Sequence, residues 1–210
     1  MQVDAMNLRC ARRTRRVLRA CSGVTLVELM VAVAVLGIMA AIGLPSFQGF
    51  IASNQLRSAT QDLYGSLQLA RIEAIRRNAR VTVCKANTSL TNCDNSGAWH
   101  NGWIVFLDNT VGATPAVDSG DTILSTRQAL PAPLRVLGNG GANGTATYVS
   151  FTAEGQSRQL NRAMLAGTLR VCSTSPHLED GKRARDLVIS VTGRIASDAA
   201  PALDATCPGP

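Results

Sequence analysis

An apolar run of 21 residues, 24–44, constrains this chain more than any other feature, because Glu28 is its only charged residue. At about 1.5 Å per residue, a helix of this length spans roughly 30 Å, the thickness of the hydrocarbon core of a bilayer. A carboxylate is costly at the bilayer centre and less so near an interface. The run therefore predicts a transmembrane helix in which Glu28 has a specific partner.

A strongly basic leader precedes the apolar run, with six arginines opposed by Asp4 alone. Because positively charged flanks stay in the cytoplasm, residues 1–23 should be cytoplasmic and the rest of the chain should lie across the membrane. An ordinary secretory signal carries its small cleavage-site residue after the apolar region. Here Gly23 stands before that region, so cleavage after Gly23 would leave the helix on the mature protein.

The sequence GVTLVE at residues 23–28 resembles the class III signal of type IV prepilins and type II secretion pseudopilins, whose usual pattern is G-F-T-L-x-E. Val24 stands where phenylalanine is commonest. The resemblance implies that a prepilin peptidase cleaves after Gly23 and N-methylates Val24, and that Glu28 pairs with the terminal amine of a neighbouring subunit during assembly. It also makes Pro45 the family's helix-interrupting proline. A plain signal-anchor helix is the alternative.

The net charge of +7 comes mostly from the leader. Residues 1–23 hold six Arg and one Asp, or +5, which leaves 15 basic and 13 acidic residues, or +2, on residues 24–210. The basic isoelectric point is therefore not, by itself, an argument for nucleic-acid binding.

Four cysteines follow the leader, an even number that suits disulfides in an oxidising compartment. They are Cys84, Cys93, Cys172 and Cys207. Three pairings are possible, and we favour a local Cys84–Cys93 loop together with Cys172–Cys207, which would hold the C-terminal tail. A zinc site is the alternative, but the spacing lacks a C-x-x-C pair and no histidine is close in sequence.

Apolar residues continue at helical spacing beyond Pro45, which predicts one long helix over residues 25–78 with a bend at 43–45. The stripe consists of Leu56, Ala59, Leu63, Leu67, Ala70 and Ala74. Short β-branched runs separated by Gly, Asn, Asp and Pro then predict strands. They are residues 79–85, 102–108, 122–127, 134–137, 147–152, 168–172, 185–192 and 194–197.

The later segments resemble the GspH/FimT family of pseudopilins and minor pilins. The likeness rests on GWIVF at 102–106 with Asp108, on DTIL at 121–124, and on ARDLVISVTGR at 184–194. It implies an α+β, pilin-like fold in which two small β-sheets pack on the C-terminal half of a long N-terminal helix. The expected domains are a leader (1–23), a transmembrane helix (24–44), an amphipathic helix (45–78) and a β-rich head (79–210).

No pattern in the chain predicts an enzyme or a cofactor. His100 and His177 lie in loop-like surroundings, and the glycine-rich stretch 138–144 lacks the lysine and following helix of a phosphate-binding loop. Asp108, Asp118 and Asp121 could suggest calcium, although turn formation explains them better than an EF-hand. Trp99 and Trp103 could form a stacking platform, but GWIVF is typical of a buried strand, so we expect at least Trp103 in the core.

A basic cluster near the C-terminus raises DNA binding as an alternative. It consists of Lys182, Arg183, Arg185 and Arg194. Some FimT-type minor pilins bind DNA through a tail motif G-R-x-R, and residues 193–196 here read GRIA, with Ala196 in place of the second arginine. Phosphate binding needs several cations on one face. We favour an ordinary solvated hairpin.

Together these features predict a minor pilin or pseudopilin that is anchored in the bacterial inner membrane with its head in the periplasm. Its partners would be the prepilin peptidase, the membrane and other pilins, which it would contact through N-terminal helices in a filament. The motifs do not distinguish a type II secretion pseudopilus from a type IV pilus. A DNA-binding minor pilin for transformation is the alternative.

Replacing the glycine at the cleavage position tests the leader assignment. We expect Gly23→Val or Gly23→Glu to block processing, because a small residue is needed immediately before the cut. Intact mass and N-terminal sequencing of membrane-expressed protein, with and without a prepilin peptidase, provide the measurement. The wild-type product should begin at N-methyl Val24, and unchanged processing of the variants would refute the assignment.

Overall fold

The computed structural model describes residues 24–109, 112–139 and 144–210, apart from the side chains of residues 42–46. The described residues fall into two compact units, one within residues 24–42 and the other within residues 43–210. The first helix, α1 (Leu26–Arg77), supplies residues to both units. Within the described residues, no helix combines the length and the apolar character that crossing a bilayer requires. The predicted cleavage after Gly23 and the predicted kink at Pro45 concern groups outside the described residues.

In the second unit, α1 is amphipathic as its periodicity predicts. Its buried stripe contains Leu56, Ala59, Leu63, Leu67, Ala70 and Ala74. These residues recur every three or four positions and so share one face of the helix. The helix ends at Arg77, and Asn78 takes a left-handed φ of 50° while its amide donates to the Ile75 carbonyl. A residue in this conformation ends helices by satisfying their last carbonyls.

Eight strands follow α1 in the described part of the chain, each within a few residues of a predicted run. They are β1 (Val81–Lys85), β2 (Gly102–Leu107), β3 (Thr122–Gln128), β4 (Leu134–Gly138), β5 (Tyr148–Phe151), β6 (Gly167–Ser173), β7 (Ala184–Ile189) and β8 (Ile195–Ala199). They form two four-stranded sheets in the orders β3-β2-β1-β5 and β4-β6-β7-β8. All pairs are antiparallel.

One hydrophobic core joins both sheets to the apolar stripe of α1. The first sheet contributes Trp103, Phe106 and Phe151, and the second contributes Leu169 and Leu187, all fully buried. Truncating a buried aromatic or leucine side chain in such a core typically costs about 2–5 kcal/mol. The predicted α+β, pilin-like class is therefore confirmed.

A buried ion pair fastens the C-terminal tail to the second sheet. Arg170 on β6 donates from Nε and Nη2 to the two carboxylate oxygens of Asp186 on β7, both at 2.8 Å. Its Nη1 also donates to the backbone oxygens of Pro208 and Gly209, at 3.2 and 2.9 Å. A bidentate pair with these extra acceptors satisfies most of the guanidinium donors, which is what makes its burial tolerable.

Removing the carboxylate of this pair should strongly destabilise the second unit. Because Asp186→Ala leaves a buried guanidinium without its counter-ion, we expect the free energy of unfolding to fall by about 3–5 kcal/mol. Asp198 is a matched control, since it faces Asp186 across the β7–β8 ladder but is exposed. Asp198→Ala should change stability by less than about 0.5 kcal/mol. Urea unfolding of the detergent-solubilised full chain measures both; equal effects would show that the Arg170–Asp186 pair is not important for stability.

Candidate functional site

The first candidate site is the start of α1, where the predicted processing and assembly residues lie. The Thr25 hydroxyl accepts a hydrogen bond from the Glu28 amide at 3.2 Å, and the Thr25 carbonyl accepts one from the Leu29 amide at 3.1 Å. Thr25 is therefore the N-cap, and Glu28 stands at the third helical position. A carboxylate in the first turn is favoured by the partial positive charge of the helix N-terminus.

Apolar side chains surround Glu28 on the described part of the first unit, and they are exposed. Val24, Leu26 and Val27 are 70%, 76% and 68% exposed, and the same exposure continues beyond them. At least 44% of each large apolar side chain from Leu29 to Met39 is also exposed. Water is an unfavourable environment for such a surface, so this segment is suited to burial against lipid or other apolar helices.

The four cysteines of the second unit are brought together in pairs. Cys84 on β1 is bonded to Cys93, with their Cα atoms 5.7 Å apart, and Cys172 on β6 is bonded to Cys207 in the tail, at 6.0 Å. These are the pairings that spacing favours over the other two. In the chain-entropy view, each cross-link stabilises the fold by about 2–4 kcal/mol, and the second holds the tail against β6.

Arg183 belongs to the interior of the second unit rather than to a solvated basic cluster. It is only 4% exposed, and its guanidinium donates to the carbonyls of Ser173, Ser175 and Leu178. It also pairs with Asp180 at 3.2 Å. With its donors occupied in this way, Arg183 fastens the loop before β7 and has little capacity to bind an external phosphate.

The other three cations of that cluster fall in two places. Lys182 and Arg185 line a groove of about 490 Å³ together with Arg57 of α1. Arg194 lies instead in the turn between β7 and β8, whereas Arg185 pairs with Ala199 at the opposite end of that hairpin. Ile189 lies four positions after Arg185 on β7, or roughly 13 Å along the strand. Arg57 was not among the cations predicted from the sequence.

The predicted turn and core residues have structural roles. Trp103 is fully buried, as expected, and its Nε1 donates to Ser66 Oγ at 2.9 Å. Trp99 is 2% exposed and donates to the Thr145 carbonyl, so neither indole offers a free stacking face. Asp121 accepts hydrogen bonds from the amides of Asn109 and Asp118, at 2.8 and 2.9 Å, which is turn formation.

The two histidines differ in their surroundings. His177 is exposed, whereas His100 is half-buried and accepts a hydrogen bond at Nε2 from Arg135, at 3.0 Å. Burial lowers the pKa of His100, and the charge of Arg135 lowers it further. His100 is therefore a neutral partner of Arg135. No group of three or more His, Cys, Asp or Glu side chains among the described residues is placed to hold a metal ion.

Asp108 is a buried carboxyl at the end of β2. Its side chain accepts a hydrogen bond from Thr82 Oγ1 at 2.8 Å, and its amide donates to the Arg80 carbonyl. Burial raises the pKa of Asp108, and the hydrogen bond from Thr82 only partly opposes that effect. This position belongs to the GWIVF-x-D pattern, and its carboxyl is part of the sheet interior.

Comparisons with known proteins add two family matches. Residues 59–193 match the family described as Type II transport protein GspH, and residues 18–44 match the prokaryotic N-terminal methylation motif. The fimbrial protein EcpC of Eikenella corrodens is 49% identical over 37 residues, which cover 18% of this chain and 24% of that protein. The chain thus spans about a quarter of the length of that relative.

Two solved structures resemble this chain with lower sequence identity than the EcpC segment. The type IV minor pilin FimU of Pseudomonas aeruginosa has a TM-score of 0.47 and 24% identity, and the match covers 73% of this chain and 93% of FimU. The minor pseudopilin EpsH from the Type 2 Secretion System of Vibrio cholerae has a TM-score of 0.44 and 14% identity, with coverage of 69% and 97%.

Neutralising Asp108 should change how stability depends on pH. Because its folded pKa lies above its unfolded value, Asp108 contributes stability that is fully present below the unfolded pKa of about 3.9 and is lost as pH rises through the folded pKa. Asp108→Asn should therefore flatten the fall in stability above about pH 4 while keeping an acceptor for Thr82. Urea unfolding across this range measures it, with exposed Asp198→Asn as control; parallel wild-type and Asp108→Asn curves would contradict the prediction.

Proposed function

Because the chain belongs to the Type II transport protein GspH family, we propose that it is a minor pilin-like subunit of a filament, either a type II secretion pseudopilus or a type IV pilus. A prepilin peptidase would cleave after Gly23 and methylate the new terminus at Val24. The protein would then leave the membrane and join other pilins through α1. Its role is structural, and it supports secretion or pilus biogenesis.

The observation that carries this proposal is the position of Glu28. It is the only charged residue in the apolar run, and it stands one helical turn beyond the N-cap at Thr25. Cleavage after Gly23 would create an amine four residues before this carboxylate. A helix stagger that brings the amine of one subunit to Glu28 of its neighbour would neutralise both charges in an apolar environment, where an unpaired charge is very unfavourable.

Before assembly, the same apolar run would anchor the subunit in the inner membrane, with the head in the periplasm. The exposed side chains of the first unit support this, because an apolar surface of this kind is stable in lipid or against other helices. Two disulfides in the head suit an oxidising compartment outside the cytoplasm. Anchoring and assembly would thus use one surface in succession.

DNA binding has weaker support. Of the four predicted cations, only Lys182 and Arg185 line a common groove, Arg183 is buried in protein contacts, and Arg194 lies at the other end of the hairpin. Gly193 has a φ of 76°, and a side chain there would collide with the Gly155 carbonyl. A turn requirement therefore accounts for this glycine without a DNA-binding role.

Replacing Glu28 tests the assembly mechanism. We expect Glu28→Leu and Glu28→Gln to be cleaved normally but to enter filaments more than tenfold less, because losing one partner of a desolvated ion pair costs about 3–5 kcal/mol. Val27→Leu is the matched control, since it changes the adjacent position without changing charge. Immunoblots of sheared filaments, normalised to cleaved subunit, give the measurement. Normal incorporation of both Glu28 variants would refute the pairing role.

A further inference from the structure

The groove between α1 and the β7–β8 hairpin concentrates positive charge. Arg57 enters it from α1, Lys182 from the short helical turn before β7, and Arg185 from β7 itself. The rest of the lining consists of Ser53, Leu56, Thr60, Gln61 and Ser197. Three cations around a volume of about 490 Å³ repel one another unless an anion lies between them.

Among the described residues, one acidic side chain, Glu179, pairs with a cation of this groove. In residues 24–109, 112–139 and 144–210, neither Arg57 nor Arg185 has an ion-pair or hydrogen-bond partner for its side chain. Lys182 pairs with Glu179 at 2.9 Å, but the two side chains are 72% and 77% exposed. A pair so exposed is weak and exchanges readily with another anion.

Rigid elements hold two of the three cations in place. Arg185 is on β7, and its neighbour Arg183 anchors the preceding loop to the carbonyls of Ser173 and Ser175. Lys182 is next to Arg183 in that loop, and the Asp180 carbonyl accepts a hydrogen bond from the Leu203 amide. A preorganised site loses less conformational entropy when it binds a ligand.

Exposed aromatic side chains lie on α1 directly before the groove. Phe47 and Phe50 are 60% and 63% exposed, and their ring centroids are 6.4 Å apart. Phe50 precedes Arg57 by seven residues, which places both on one face of the helix, about 10 Å apart along its axis. Because helical side chains incline toward the N-terminus, the Arg57 guanidinium reaches back toward the layer that Phe50 occupies.

We propose that this basic groove binds the phosphate of an anionic phospholipid headgroup while Phe47 and Phe50 lie in the membrane interface. Phe47, Phe50 and Ile51 extend the exposed apolar surface past Leu44, and Arg57 follows Ile51 by six residues, or about 9 Å of helix. The apolar rings of Phe47 and Phe50 can insert at the boundary between headgroups and acyl chains, and basic residues just outside it are attracted to anionic lipid. The inference rests on the proposed membrane anchoring.

The two lysines of the chain provide the probe. Lys182 is exposed in the groove, and Lys85 is buried with its ammonium donating to the Asn95 carbonyl at 3.0 Å. The full chain is reconstituted in nanodiscs of phosphatidylcholine, with or without phosphatidylglycerol, and treated with a neutral acylating reagent. Peptide mass spectrometry then gives the acylation rate at each lysine, with Lys85 as internal reference.

In wild type, phosphatidylglycerol should slow acylation of Lys182 about fivefold, the factor expected for one basic side chain at an anionic surface. Added salt should reduce this protection. The double variant Arg57→Gln/Arg185→Gln should lose it. The control, Arg162→Gln/Arg194→Gln, removes the same charge from exposed positions outside the groove and should keep it.

Equal protection in all three proteins would mean a general surface potential and would overturn the groove assignment, as would no protection in wild type. Inorganic phosphate or short duplex DNA, each added to phosphatidylcholine nanodiscs, must protect Lys182 less than phosphatidylglycerol does. Stronger protection by either would overturn the lipid assignment in favour of that ligand. Prepilin peptidase treatment of the same samples tests the proposed function separately: cleavage without Lys182 protection contradicts only the groove proposal, whereas absent cleavage contradicts the proposed function.

Discussion

The second unit depends on the burial of one stripe of α1. Leu63 and Leu67 are fully buried where the two sheets meet the helix, and the Trp103 indole on β2 donates to Ser66, which lies between them in the helix. Each sheet alone would expose an apolar face, and small antiparallel sheets need such a partner to be stable. The helix therefore organises both sheets, and the opposite face of α1 remains available for other contacts.

The arginines of the second unit have two different roles: some are buried and stabilise the fold, whereas others lie at the surface. Arg170 and Arg183 are buried, and both are satisfied by carboxylates and backbone carbonyls that hold the tail and the loop before β7. Arg185, two residues after Arg183, lines the groove instead. Arg183 fixes the loop that leads into β7, where Arg185 lies, so stability and the proposed recognition are linked through nearby positions of the chain.

Local patterns predicted the elements well, because helix and strand periodicity are properties of neighbouring residues. The α1 stripe and all eight strands lie close to their predicted positions, and the Cys84–Cys93 and Cys172–Cys207 pairs are those that spacing favoured. The surroundings of the four basic residues were harder to predict. Lys182, Arg183, Arg185 and Arg194 look alike in sequence, and nothing local shows that Arg183 turns inward to three backbone carbonyls.

The sequence by itself determined the match to the N-terminal methylation motif over residues 18–44, the helical stripe and the alternation of the strands, since each is a pattern of neighbouring residues. Only the tertiary structure decided which cations share a surface. Arg57 meets Lys182 and Arg185 from more than a hundred residues away, because the β7–β8 hairpin packs beside α1. Such a meeting depends on how the sheets stack on the helix, and short-range periodicity carries no information about that stacking.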